Sequence, residues 1–133
     1  MLNSVSTMTI LQRITALLSA LPLLLAGCTT PDVQELSAGK LEKWRAEGKK
    51  FLLIDVRSPQ EFRAGHITEL LIPLSELKAR VKEIPANLPV VFHCKSGVRS
   101  AKAADLFHKL RPEQEVFSLK GGIMAVPKTW VYK

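Results

Sequence analysis

The chain has 133 residues, is 47% hydrophobic and 23% charged, and carries a formal net charge of +7. That length holds one small domain, and the composition is that of a folded globular protein with an apolar leader attached. The basic balance favours anionic partners, but Lys49-Lys50 is the only adjacent basic pair and aromatics are few. The cationic stripe and stacking platform of a nucleic-acid binder are missing, so no nucleic-acid partner is expected.

The chain opens on an address. Residues 1–13 carry one positive charge, Arg13, and no acid; residues 14–26 are Ile, Leu and Ala broken only by Thr15, Ser19 and Pro22. This apolar run is shorter than the roughly 20 residues a spanning helix needs. It ends in Leu25-Ala26-Gly27-Cys28, which resembles the lipobox of bacterial lipoproteins. The resemblance implies that residues 1–27 are a signal peptide, that Cys28 takes a lipid through a thioether, and that residues 28–32 form the lipidated tether. Several acyl chains give stable anchoring where one gives only marginal binding. The expected location is the bacterial cell envelope, facing the periplasm, with Thr29 favouring the outer membrane. Met8 offers an alternative start that leaves the mature chain unchanged.

Residues 33–133 are expected to form the folded domain. Val33–Leu36 reads as a brief strand, and Ser37 as the N-cap of a helix that carries Leu41 and Trp44 and ends at Gly48. Phe51–Val56 is a continuous apolar run broken only by Asp55, as in a strand buried on both faces of a parallel sheet. Ser58-Pro59-Gln60-Glu61 is a capping box with proline at the first helical position. Gly65-His66-Ile67 is a turn, Leu70–Ile72 a short strand, and Ser75–Glu83 a helix. A buried strand over Pro89–His93 precedes Cys94, and a helix from Arg99 to Leu110 presents Ala101, Ala104, Leu106 and Phe107 as its apolar face. Glu115–Leu119 is the last strand before Gly121-Gly122. Strands alternating with helices predict an α/β fold, an open parallel sheet with helices on both faces.

In such a sheet, ligands bind beyond the carboxyl ends of the strands, which is where Cys94 stands. Cys94-Lys95-Ser96-Gly97-Val98-Arg99-Ser100 bridges strand to helix. Gly97 permits a tight bend, successive backbone N–H groups can converge on the sulfur, and the helix adds the positive end of its dipole. Lys95 and Arg99 bring two cations. Together these stabilise a thiolate, so Cys94 is the candidate nucleophile, with a lowered pKa. Residues 95–100 are the candidate anion cradle. The loop is similar to that of tyrosine phosphatases, which hold one residue more between cysteine and arginine. The tighter ring crowds a phosphate and admits a single sulfur atom.

Cys94–Ser100 resembles the active-site loop of rhodaneses (thiosulfate sulfurtransferases). Ile54-Asp55-Val56-Arg57, with Glu61-Phe62 and Gly65-His66-Ile67, resembles the family's N-terminal signature, and Leu119–Ile123 its terminal glycine turn. The resemblance spans about Leu36 to Ala125. It implies a single rhodanese-like domain and an enzyme that moves sulfane sulfur from thiosulfate, or a related donor, to cyanide or a thiol through a Cys94 persulfide. Arg99 and Lys95 would hold the sulfite end, and the N–H groups of Ser96 to Ser100 the persulfide. A small thiol or a thioredoxin-like protein is the implied acceptor, and no metal or organic cofactor is needed. The segment Thr68–Leu71 lacks the family's usual Pro-Gly-Ala-like turn, and Val126 stands where tryptophan is common, which alters the pocket rim. Asp55, Arg57, Glu61 and His66 read as structural rather than as an acid–base set, and His93 is expected to face away from the sulfur. The alternatives are a non-enzymatic sulfur carrier or partner-binding lipoprotein, and a cysteine phosphatase or arsenate reductase using the same cradle.

Overall fold

A computed structural model describes residues 32–133; the leader, the lipobox and Cys28 lie outside the described residues. Four parallel strands make one open sheet in the order β1-β4-β3-β2, with β1 at Gln34–Leu36, β2 at Leu52–Asp55, β3 at Val90–His93 and β4 at Val116–Leu119. The helices are α1 (Ala38–Ala46), α2 (Pro59–Ala64), α3 (Leu77–Arg80) and α4 (Val98–Leu110). β3 lies inside the sheet, so the residue that leaves its carboxyl end emerges at the middle of the domain.

The apolar runs become strands because both sheet faces are covered. Side chains alternate across a strand, and the two cores follow that parity. Ile54, Val90, Phe92 and Val116 pack with Leu77 of α3 and Ala103, Ala104 and Phe107 of α4. Leu53, Val91, Phe117 and Leu119 pack with Leu41 and Trp44 of α1 on the other face. The Phe92 and Phe107 rings meet edge to face at 5.4 Å, a geometry worth about 0.5–1.5 kcal/mol beyond burial. The Ser37 hydroxyl accepts from Lys40 N at 3.2 Å and caps α1. Ser58 and Glu61 form the reciprocal capping box of α2, with bonds of 3.2 and 3.0 Å.

Three expectations need correction. The strand at Leu70–Ile72 is a single bridge between Leu71 and Asp55. Asp55 N–H donates to Leu70 O and Asp55 O accepts from Ile72 N, and the next ladder donor, Arg57 N–H, turns instead to Asp55 Oδ1 at 2.9 Å. The helix at Ser75–Glu83 is a one-turn α3 between two 3₁₀ turns. On α4 the buried stripe is Ser100, Ala103, Ala104 and Phe107, while Ala101 is exposed and Leu106 only partly buried. That stripe runs i, i+3, i+4, i+7, and its first member is a serine, which an apolar pattern overlooks.

Candidate active site

β3 delivers Cys94 to the bottom of the loop, where it is 1% exposed. Its Sγ accepts from Gly97 N at 3.1 Å and lies 3.6 Å from the Ser100 hydroxyl. Burial pushes the thiol pKa up, but the Ser100 hydroxyl and the N–H groups of Ser100, Gly97 and Ser96 outweigh it, and the thiol titrates below its ordinary value. Ser100 Oγ is itself held 2.9 Å from Ser118 Oγ and lies 3.1 Å from Gly97 O. Ser118 was not among the residues singled out from the sequence. Its signal is a lone hydroxyl in the otherwise apolar Val116-Phe117-Ser118-Leu119.

The loop is shaped from outside as well. Gly97 has φ +105°, and a side chain there would press on Gly121 N at 3.2 Å. Gly122 has φ +59°, and a β-carbon would run into the carbonyl oxygens of Cys94 and Lys95. Those carbonyls instead accept from Ile123 N at 2.8 Å and Met124 N at 3.2 Å. With its carbonyls tied down to the glycine turn, the loop is free to turn its N–H groups toward the sulfur. The glycine pair therefore braces the cradle, a task the sequence alone did not reveal.

The two cations differ. Lys95 is exposed and belongs to none of the ion pairs among the described residues. Arg99 Nη1 and Nη2 each donate to a Glu61 carboxylate oxygen at 2.8 Å. This pair holds the Glu61 carboxyl far below the usual carboxylate range and raises Arg99. Glu61 thus joins α2 to the Cys94 loop in addition to capping its own helix. Val98 is 62% exposed at the rim. Two grooves of about 450 and 460 Å³ are both lined by Arg57, one also by Arg99 and the other by Glu61 and Met124.

Asp55 and Arg57 form a buried bidentate pair, with Arg57 Nη2 to Asp55 Oδ2 at 2.8 Å, and the same nitrogen donates to Gly65 O at 2.7 Å. His66 Nδ1 lies 3.0 Å from Phe62 O, and its ring stacks on Phe62. The first set ties the end of β2 to the turn at Gly65, and the second ties that turn to α2. His93 is fully buried, with Nε2 3.5 Å from Asp55 Oδ2 and Nδ1 3.4 Å from Cys94 O. Burial depresses its pKa, which favours the neutral ring. None of these groups contacts the Cys94 sulfur.

The family model described as Rhodanese-like domain matches residues 37–128. The chain is 46% identical over 82 residues to the uncharacterized protein YqhL of Bacillus subtilis, covering 61% of this chain and 64% of that one. It is 34% identical over 94 residues to a sulfurtransferase of Allochromatium vinosum, covering 70% of this chain and 87% of that one. Among solved structures, the human single-domain sulfurtransferase TSTD1 superposes with a TM-score of 0.61 at 25% identity, over 71% of this chain and 95% of its own.

Proposed function

The chain belongs to the rhodanese-like family, and from that premise we propose that it is a sulfurtransferase working through a persulfide on Cys94. The observation that carries the proposal is the sulfur seated in its cradle, with Gly97 N–H at 3.1 Å and a Ser100 hydroxyl that is itself fixed by Ser118. In the first half-reaction the Cys94 thiolate attacks the outer sulfur of thiosulfate. A new S–S bond forms, the sulfur–sulfur bond of the donor breaks, and sulfite leaves with the electron pair. In the second, a thiolate or cyanide attacks the outer persulfide sulfur, and Cys94 departs as the thiolate. The preorganised donors favour the anion at each stage, and the electron balance closes without a cofactor.

Lys95 is available to attract the anionic donor, and the residues from Ser96 to Ser100 surround the transferred sulfur. The proposed acceptor is a small thiol or a thioredoxin-like protein. The lipobox-like run ending in Cys28 places the domain on the periplasmic side of the envelope in this proposal. A lone thiol there is exposed to oxidation and calls for a reducing partner. Acyl labelling that disappears in Cys28→Ala is the expected sign of the anchor; equal labelling of both forms removes it.

Steady-state assay with thiosulfate, offering cyanide and dithiothreitol in turn, tests the activity. Turnover that Cys94→Ser abolishes supports it. A persulfide that forms once and passes to neither acceptor points to a sulfur carrier. Hydrolysis of an aryl phosphate in place of sulfur transfer points to a phosphatase.

A further inference from the structure

Two helix starts meet at one ion pair. Glu61 sits in the first turn of α2 and Arg99 in the first turn of α4, next to the Cys94 loop. All four of their charged oxygen and nitrogen tips are engaged at 2.8 Å, with the side chains 32% and 36% exposed. An anion entering the cradle therefore meets Arg99 with a carboxylate already on it. We propose that Glu61 is a positioning residue that balances the charge of Arg99 and thereby sets how tightly the Cys94 cradle holds anions. The proposal deepens the sulfurtransferase reading and rests on it for the substrate. Thiosulfate and sulfite are both dianions, and sulfite must leave at every turnover. A cradle of convergent N–H groups, a helix start and two unbalanced cations would retain it. With Arg99 balanced, Lys95 is the loop's remaining unpaired cation among the described residues, and donor and product can exchange.

A capping role alone would account for Glu61 but not for its grip on Arg99 across 38 positions. Glu61→Gln separates the two roles, because glutamine serves in a capping box and only the charge is removed. The probe is inorganic sulfate, titrated into the purified chain at low salt and read from the amide shifts of residues 95–100. Glu61→Gln is expected to bind sulfate roughly 5- to 10-fold tighter, the effect of one partly screened charge. Thiosulfate KM and the sulfite inhibition constant should fall with it, while kcat does not rise. Arg99→Gln, which leaves Glu61 unbalanced, should weaken sulfate binding, and the double variant should return close to wild type. The tightening should shrink as salt is raised. Unchanged or weaker sulfate binding in Glu61→Gln, or a double variant that binds no tighter than Arg99→Gln, overturns the proposal. If Glu61→Gln does not fold, the double variant decides alone, and binding no tighter than in Arg99→Gln overturns it. If wild type forms no persulfide, the sulfurtransferase reading fails, while the sulfate titration still decides the part played by Glu61.

Discussion

Replacing Gly122 by alanine should damage both stability and sulfur chemistry, and Gly48 provides the matched control. Both glycines have a left-handed backbone, φ +59° and +68°. A β-carbon on Gly48 meets nothing within 4 Å, whereas one on Gly122 meets the backbone carbonyls of Cys94 and Lys95. Gly48→Ala should therefore cost only the left-handed conformation, about 1–2 kcal/mol. Gly122→Ala carries that cost plus about 1–3 kcal/mol for forcing the loop aside. It also weakens the bonds from Ile123 N and Met124 N, worth about 0.5–1.5 kcal/mol each. Urea unfolding should rank the two variants with a gap of about 2 kcal/mol or more at unchanged m. If the displaced loop also withdraws one N–H from the sulfur, the lost charge-assisted bond of about 1.5–3 kcal/mol slows persulfide formation roughly 10- to 100-fold. Gly48→Ala should form persulfide at the wild-type rate. Equal stability losses in the two variants, with equal rates per folded molecule, would refute the idea that the glycine turn aims the loop.

Ser100→Ala removes the hydroxyl that contributes most to lowering the Cys94 pKa. Thiolate forms as pH rises through that pKa, so the alkylation rate of Cys94 by iodoacetamide should begin its rise at higher pH in the variant than in wild type. Superimposable pH profiles would remove Ser100 from the cradle. Asp55→Asn breaks a buried pair and leaves the Arg57 charge uncompensated, which should cost about 3–5 kcal/mol in urea unfolding. A loss under 1 kcal/mol would mean that the pair does not hold β2 to the turn at Gly65.

Elements with local signatures were legible in the sequence. β2, β3 and β4 show as apolar runs because both faces of the sheet are buried, and Ser58-Pro59-Gln60-Glu61 marks the start of α2 because a capping box needs only four consecutive residues. The position of Cys94 past a buried strand, before a glycine and a helix, follows from the same local logic. Features set by distant parts of the chain were not legible. No pattern pairs Glu61 with Arg99, joins Ser100 to Ser118, or seats Gly122 under the carbonyls of Cys94 and Lys95. Leu70–Ile72 has a strand's composition, yet only one bridge forms because Arg57 N–H is taken by the Asp55 side chain. An apolar pattern misplaces the stripe of α4 because its buried serine serves the cradle as well as the core.

The most direct test of the account is the intact mass of residues 29–133 after reduction and then exposure to thiosulfate, comparing wild type with Cys94→Ser. A gain of one sulfur atom in wild type alone, lost again on adding cyanide, is the expected result. No gain in wild type, or the same gain in Cys94→Ser, would contradict it.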